Sequence, residues 1–243
     1  MFPRRIGPHR IRGGSLRGAR IVTSWHDYPA GVMGRTERGL LAWFQQEVRA
    51  GDTWLDIGAH YGYTAIALSR QVGAAGRVFA FEPVTATAGC VAQTRRLNNL
   101  SQLTVVPLGL GKPESLISVT LPLTRGMADQ TLDDSDGSWL ESLQIARLDW
   151  LWPIINSGRD NVDGVKIDVQ GMELDVLRGM EQLLRSHRPK LVIEFHRGVD
   201  QGAILDLLDS VGYRRQPAAI EPQAESAGEL LDDHSYAFER ALR

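Results

Sequence analysis

The stretch Thr53-Trp-Leu-Asp-Ile-Gly-Ala-His-Tyr-Gly-Tyr63 decides the fold of this chain. A short apolar run ends in an acid, Asp56, and two glycines, Gly58 and Gly62, follow it. A helical pattern of apolar residues begins directly after the second glycine. A strand, a glycine turn and a helix in this order bring backbone N–H groups close to a bound nucleotide-like ligand.

The glycine spacing indicates which kind of ligand the turn would hold. A dinucleotide turn reads G-x-G-x-x-G, whereas Gly58 and Gly62 form a G-x-x-x-G pattern just behind the carboxylate of Asp56. That carboxylate suits a cationic or hydroxyl-bearing ligand and repels a pyrophosphate. S-adenosylmethionine (SAM), which has an amino acid end, a sulfonium and no phosphate, is such a ligand. We therefore predict SAM as the cofactor, bound by the turn residues Asp56, Gly58, Ala59, His60, Tyr61 and Gly62.

Composition and charge limit the classes of function. The chain has 243 residues, within the range of one large α/β domain. Its net charge is -2, so no general attraction to nucleic acid is expected. No apolar run is long enough to span a membrane. Cys90 is the single cysteine, which excludes an internal disulfide and indicates a cytoplasmic protein.

The first 50 residues are expected to form a basic arm and cap, separate from a ligand-binding domain at residues 51–243. Residues 1–20 carry six arginines, and no acid precedes Asp27. Because this segment lacks an apolar core, it does not read as a secretory signal. A basic arm for anionic partners and a transit peptide are alternatives to a loosely ordered leader, which is the reading we expect.

Strand and helix patterns alternate from residue 53 onward and predict the fold class. The predicted strands are Thr53–Ile57, Arg77–Phe81, Leu103–Val106, residues 162–169 and Lys190–Phe195. The predicted helices are Tyr63–Val72, Thr85–Leu97, residues 171–185 and residues 202–211. Repeated β-α-β units imply an α/β fold with a mainly parallel sheet covered by helices on both faces. Residues 213–216 and 235–238 are expected to close the sheet, and residues 124–138 to form a mobile loop over the site.

Four acids stand at predicted strand ends, which is where such sheets bind ligands: Asp56, Glu82, Asp168 and Glu194. Glu82 is expected to accept hydrogen bonds from both ribose hydroxyls, a role that would fit a dinucleotide as well. A solvated strand end is the alternative. Asp56 is expected to orient the turn, to reach the SAM amino group through water, or to cap backbone N–H groups.

The last two acidic strand ends are the candidates for catalysis. Asp168 precedes Gly171 and should lie near the transferred group, or else cap the following helix. Glu194 and His196 share one side of their strand, because side chains alternate along a strand. Together with Asp168 they could form an acid/base pair, an oxygen/nitrogen metal site or a structural hydrogen bond. Since no H-x-x-x-H or clustered Cys/His pattern is present, we predict no metal. Lys166 is expected to pair with a neighbouring acid.

The chain resembles the FkbM family of SAM-dependent methyltransferases over roughly residues 50–215. The segments that carry the resemblance are Leu55-Asp-Ile-Gly-Ala-His-Tyr-Gly62, Phe81-Glu-Pro83, Leu148-Asp149, Lys166-Ile-Asp-Val-Gln-Gly-Met-Glu-Leu174, Val176-Leu-Arg-Gly179, Pro189 and Val192-Ile-Glu194. Two positions depart from the family pattern, since His60 stands where asparagine is common and Gln170 where glutamate is common.

The resemblance implies a class I Rossmann-like methyltransferase fold that acts on hydroxyl groups of small molecules, including sugars and natural-product scaffolds. It implies that the turn lines the methionine end of SAM and that Glu82 holds the ribose. The expected cofactor set also includes Pro83, Gly109 and Asp168. The expected catalytic residues are Asp168, His196 and Glu194.

SAM-dependent O-methyl transfer is therefore the leading hypothesis. A SAM-binding module without catalysis and an NAD(P)-dependent oxidoreductase are the alternatives, and the missing third glycine argues against the latter. Residues 1–35 and 216–234 fall outside the resemblance. They are expected to shape the acceptor site or contacts in a homodimer.

Overall fold

The computed structural model describes residues 5–124, 127–128, 139–221 and 230–241. Much of the predicted loop at residues 124–138 and the middle of the segment at residues 216–234 lie outside this described part. Among the helices of the described ranges, none combines the length and the apolar composition that a membrane crossing requires.

The N-terminal segment folds against the rest of the protein. Its elements are β1 (Gly7–Arg10), β2 (Arg20–Thr23), α1 (Pro29–Met33) and α2 (Arg38–Glu47). β1 and β2 pair as an antiparallel hairpin. Ile11, Ile21 and Phe44 are buried in one hydrophobic cluster with the central strands. The expectation of a loosely ordered leader is therefore wrong for residues 7–23, because apolar residues between the arginines pack into the core.

Strands and helices alternate between residues 53 and 106, and each of these elements has the bounds that the sequence predicts. The elements here are β3 (Thr53–Ile57), α3 (Tyr63–Val72), β4 (Arg77–Phe81), α4 (Thr85–Leu97) and β5 (Leu103–Val106). A group of strands follows, namely β6 (Gly109–Leu110), β7 (Ile117–Thr124), β8 (Met127–Ala128) and β9 (Trp139–Ala146). The remaining elements are α5 (Leu148–Ile155), β10 (Gly164–Ile167), α6 (Glu173–Arg178), α7 (Glu181–His187), β11 (Lys190–Phe195), α8 (Gln201–Ser210), β12 (Ala218–Ala219) and β13 (His234–Phe238).

The main sheet has seven strands in the order β12-β13-β11-β10-β3-β4-β5. The strands from β11 to β5 are parallel, while β13 pairs antiparallel with β11 and β12. This arrangement confirms the mainly parallel α/β sheet with an antiparallel closing strand. The prediction of a strand at residues 213–216 is wrong, because Tyr213 makes only an isolated bridge to Arg240. β12 begins two residues beyond the end of that segment instead.

Alternate side chains of the central strands pack on opposite faces of the sheet, as strand geometry requires. Leu55 and Phe79 join a cluster with residues of α5, α6, α7 and α8. Trp54 and Val78 join a second cluster with residues of α2, α3, α4 and the N-terminal hairpin. Helices thus cover both faces, as predicted, and the buried strand ends meet at one edge.

A second, four-stranded sheet has the order β6-β9-β7-β8. Ile117, Val119 and Leu121 alternate with Ser118 and Thr120, a pattern that predicts a half-exposed strand and matches part of β7, whereas the partner strand β9 was not predicted. β7 and β9 pair antiparallel, with Val119 opposite Leu143. The alternation of Leu143 and Ile145 with polar neighbours was the available signal for β9.

The predicted helix at residues 171–185 is two helices, α6 and α7, separated at Gly179. A Cβ at Gly179 would lie 1.9 Å from the carbonyl oxygen of Gly111, so this close backbone approach requires glycine. The carboxylate of Asp149 accepts hydrogen bonds from the backbone N–H groups of Gln182 (3.0 Å) and Leu183 (2.9 Å). It therefore caps the start of α7 from another element.

Packing of the N-terminal hairpin predicts that Ile21→Ala destabilises the whole domain. Ile21 is fully buried, so its truncation should lower the free energy of unfolding by about 2–5 kcal/mol in a urea titration. Ile6 lies in the same segment but is 49% exposed, and Ile6→Ala should change that free energy by less than about 0.5 kcal/mol. Equal, small effects of both substitutions would show that the hairpin is not part of the core.

Candidate active site

A cavity of about 300 Å³ lies at the carboxyl ends of β3, β4, β10 and β11. Most of the predicted site residues line it: Gly58, Ala59, His60, Tyr61, Glu82, Pro83, Gly109, Asp168 and Glu194. The other three predicted residues, Asp56, Gly62 and His196, lie behind this lining and act through their neighbours. The volume is at the lower end of the range for small-molecule sites.

The glycine turn is fixed against the neighbouring strands. The backbone N–H groups of Gly58 and Ala59 both donate to the carbonyl oxygen of Phe81 at the end of β4, each at 3.0 Å. Gly58 has a φ of 79°, and a Cβ there would lie 1.7 Å from the carbonyl oxygen of Asp168. Only glycine fits at this position, because both the conformation and the space exclude a side chain.

His60 occupies a left-handed backbone conformation, with a φ of 47°. Histidine, asparagine and aspartate are the non-glycine residues that best tolerate this region. The departure from asparagine therefore keeps the turn geometry and adds a ring, which meets the ring of Tyr28 edge-on at 5.1 Å between centroids. The backbone N–H of His60 donates to a Glu82 carboxylate oxygen at 2.8 Å.

Lys166 joins the acids of β3 and β10 beneath the turn. Its ammonium group lies 3.4 Å from Asp56 Oδ1 and 3.1 Å from Asp168 Oδ2. It also donates to the carbonyl oxygen of Gly58 at 2.8 Å. Asp56 is fully buried and accepts a hydrogen bond from the Thr64 hydroxyl at 2.7 Å. Asp56 thus connects the start of α3 with Lys166 beneath the turn, and it is not among the residues that line the cavity.

The three charged groups of this network shift each other's pKa. Burial raises the pKa of Asp56, and Lys166 opposes that shift. Burial would lower the pKa of Lys166, but Asp168 and Asp56 outweigh it and raise that pKa. Burial would likewise raise the pKa of Asp168, but Lys166 and His196 lower it. Lys166 and Asp168 consequently form a charged pair near neutral pH.

Glu82 lies at the end of β4 with its carboxylate in the cavity wall and 5% of its surface exposed. Besides the N–H of His60, it accepts the backbone N–H of Val84 at 2.9 Å. Burial raises the pKa of Glu82 to about 8, although these two hydrogen bonds act in the opposite direction. Each carboxylate oxygen can accept one further hydrogen bond, so the two oxygens together could bind the two hydroxyl groups of a ribose.

A second cluster, which we call the His196 cluster, comprises Asp168, Gln170, Glu173, Glu194 and His196. His196 Nε2 lies 3.5 Å from Asp168 Oδ1 and 3.6 Å from Glu194 Oε1. The same nitrogen lies 2.8 Å from the Gln170 amide nitrogen, and His196 Nδ1 lies 2.6 Å from Glu173 Oε1. The structure therefore unites the three predicted catalytic residues, Asp168, Glu194 and His196.

The carboxylates of the His196 cluster raise the pKa values of His196 and Glu194. Burial alone would lower the pKa of His196, but the hydrogen bond to Glu173 and the neighbouring carboxylates raise it to about 9. The charge of Asp168 first, and then burial, raise the pKa of Glu194 to about 8. In the absence of other ligands, His196 therefore holds a proton near neutral pH.

Sequence reasoning missed Glu173, whose side chain is fully buried. The signal was an acid on the apolar face of a helix, one turn before Leu177. The helix-cap alternative for Asp168 is wrong, because α6 begins after Met172, which caps it without a side-chain hydrogen bond. The orientation of Asp168 toward Lys166 and His196 explains why it is not available as a cap.

The N-terminal segment and the small sheet complete the cavity. The N-terminal residues in its wall are Asp27, Tyr28 and Glu37, and those of the small sheet region are Leu121, Leu143 and Ile145. Sequence analysis expected residues 1–35 to shape a site but named none of these side chains. They add two carboxylates, one aromatic ring and three aliphatic side chains to the cavity wall.

Comparison with known proteins identifies the family. The sequence matches the profile of the Methyltransferase FkbM domain over residues 56–215. It is similar to the hexuronic acid methyltransferase AglP of Haloferax volcanii, with 28% identity over 177 residues that cover 72% of this chain and 68% of AglP.

Solved structures share the fold. The crystal structure of methyltransferase FkbM from Methylobacillus flagellatus KT aligns with a TM-score of 0.53 and 19% identity, covering 82% of this chain. This chain spans only 50% of that protein's length. Fibrillarin of Aeropyrum pernix, crystallised with SAM bound, aligns with a TM-score of 0.51 and 15% identity over 96% of this chain and 87% of that one. With the family profile matched over most of the chain and the fold shared, this protein belongs to the FkbM family of SAM-dependent methyltransferases.

Proposed function

We propose that this methyltransferase transfers the methyl group of SAM to a hydroxyl group of a small molecule, with a sugar as the favoured acceptor. The observation that carries the proposal is one cavity lined both by the glycine turn with Glu82 and by the carboxylates of Asp168 and Glu194. The similarity to a hexuronic acid methyltransferase supports a carbohydrate acceptor. A single buried cysteine, Cys90, agrees with the expected cytoplasmic setting.

In this proposal the cofactor occupies the half of the cavity near the turn. Gly58, Ala59, His60 and Tyr61 surround the methionine end, and Glu82 accepts hydrogen bonds from the ribose hydroxyls. The absence of a side chain at Gly58 lets the turn pack directly against the backbone of Asp168. Pro83 and Gly109 border the same half of the cavity. Asp56 and Gly62 contribute by shaping the turn and the start of α3.

The acceptor hydroxyl then lies near Asp168 and Glu194. Its oxygen attacks the methyl carbon in line, the new C–O bond forms as the C–S bond breaks, and the sulfonium takes the electron pair. The hydroxyl proton passes to one of the two carboxylates. His196 lies behind them and fixes their position, so it contributes as a positioning residue. The sulfonium already activates the leaving group, which leaves alignment and exclusion of water as the main tasks of the protein.

Transfer of a methyl group from SAM to hexuronic acids and neutral sugars tests this function directly. We expect a SAM-dependent product that is heavier by one methylene unit, detected by mass spectrometry, with uronic acids methylated best. Thermal shift with S-adenosylhomocysteine (SAH) and with NADH provides the control, and only SAH should stabilise the protein. Stabilisation by NADH alone would refute the proposal. SAH binding without transfer to any hydroxylated acceptor would favour a non-catalytic SAM-binding module.

Asp168→Asn should separate catalysis from cofactor binding. Loss of the carboxylate beside the acceptor should lower kcat by about 100-fold or more, a much larger effect than the loss of SAM affinity that follows from weakening the Lys166–Asp168 pair beneath the turn. Single-turnover kinetics and calorimetry with SAH measure the two effects. The matched amide substitution Glu82→Gln should show the opposite pattern, with the larger effect on SAH binding. If Asp168→Asn lowered kcat and the affinity for SAH by the same factor, Asp168 would not lie beside the acceptor.

The raised pKa of Glu82 predicts a pH dependence of stability. The folded protein retains the proton up to a pKa of about 8, whereas the unfolded chain loses it near 4.5. The free energy of unfolding should therefore fall as the pH rises between these values. Lys166 and Asp56 are the charged groups that act on Glu82, with opposite signs.

Glu82→Gln removes this ionisation, so urea titrations should show a smaller loss of stability across that pH range than in the unsubstituted protein. The exposed Glu114 provides the control, and Glu114→Gln should leave the pH profile unchanged. An unchanged profile in Glu82→Gln would mean that Glu82 is already ionised in the folded protein.

A further inference from the structure

The His196 cluster contains the donor atoms of a metal site. One ligand atom each from Asp168, Glu194 and His196 lie within 4.8 Å of one another. Ligands on a divalent transition metal lie about 2.0–2.2 Å from it, so neighbouring ligand atoms stand about 3 Å apart. The observed separations of 3.5 Å and 3.6 Å from His196 Nε2 to the two carboxylates need only small side-chain shifts to match.

The surroundings orient these donors as a metal site requires. His196 Nδ1 is engaged at 2.6 Å by the buried carboxylate of Glu173, which directs Nε2 toward Asp168 and Glu194. The Gln170 amide nitrogen contacts the same Nε2 at 2.8 Å, and a cation would displace it. A carboxylate behind a histidine is the usual outer partner of a metal-bound imidazole, because it fixes the tautomer and raises ligand basicity. Lys166 contacts the Oδ2 atom of Asp168, whereas the Oδ1 atom faces His196. This division leaves one oxygen of Asp168 for a cation.

The sequence allowed a metal site at these residues, but the absence of a local ligand motif favoured the prediction of no metal. Asp168 ends β10, and the other two donors lie at the end of β11, so the parallel pairing of the two strands brings them together. Glu173 reaches His196 from the following helix α6. Asp168 and Glu194 also line the cavity, so a cation between them would be accessible to a ligand there.

We propose that Asp168, Glu194 and His196 bind one divalent cation, of the type represented by Mn²⁺, at the acceptor end of the cavity. Two carboxylates and one imidazole form a mixed oxygen and nitrogen set that suits such a cation. The remaining positions would take oxygen atoms of water or of a polyhydroxylated acceptor. This role toward the acceptor rests on the function proposed above, whereas cation binding itself does not.

Mn²⁺ titration of the full chain, treated with a chelator and freed of any histidine tag, tests the site. The electron paramagnetic resonance signal of free Mn²⁺ is lost on binding, and we expect one bound ion per chain. Glu194→Gln removes a ligand and should weaken binding at least about tenfold. Glu173→Gln removes only the group behind His196 and should weaken binding about 10–100-fold without removing a ligand.

Glu37→Gln is the matched control, because Glu37 is another glutamate of the cavity wall outside the His196 cluster. This variant keeps all three donor atoms but loses a charge that acts on Asp168 and Glu194, so it should weaken Mn²⁺ binding clearly less than Glu194→Gln does. SAH binding by calorimetry, measured on every sample, shows that each variant is folded.

The site is refuted if protein that binds SAH takes up no stoichiometric Mn²⁺, or if Glu37→Gln weakens uptake as much as Glu194→Gln. Methyl transfer in the presence of chelator separates this result from the proposed function. Transfer that persists without Mn²⁺ uptake overturns only the metal site. Stoichiometric uptake without transfer to any acceptor supports the metal site and overturns the function.

Discussion

The ammonium group of Lys166 is the interaction on which the rest of the site depends. It lies among Asp56, Asp168 and the carbonyl oxygen of Gly58, and so connects β3, β10 and the glycine turn. Buried charges are costly unless they are paired, so these strands must keep one register for the pairs to form. In that register Lys166 is level with Asp56 in the neighbouring strand. The position of the turn, and of the cavity above it, follows from this constraint.

The acids at the strand ends divide into two groups with different tasks. Glu82 is bound to backbone N–H groups and belongs to the turn. Asp168 and Glu194 belong to the His196 cluster, where they repel each other and attract a cation or a proton. The same local pattern, an acid after an apolar strand, therefore produces one carboxylate held by backbone N–H groups and two that lie beside His196. Their neighbours in space decide between these outcomes.

Local patterns predict the central α/β units well, because each strand is a short apolar run and each turn contains glycine. The bounds of α3 and α4 follow from these patterns alone. The docking of Ile11 and Ile21 was not predictable, because their apolar positions have no helix or strand period among the arginines. The contact of Glu173 with His196 depends on the packing of α6 against β11, which no local pattern encodes. The break at Gly179 similarly depends on a distant backbone, that of Gly111.

The wall formed by Asp27, Tyr28 and Glu37 comes from a stretch that precedes the family match at residues 56–215. The paired charges beneath the glycine turn come from within that match. Substitutions on the N-terminal wall can thus reshape one side of the cavity while the Lys166 pairs stay intact. One side of the cavity and the paired charges beneath the turn are therefore encoded in separate segments of the chain, and they meet only because the N-terminal segment packs against the central strands.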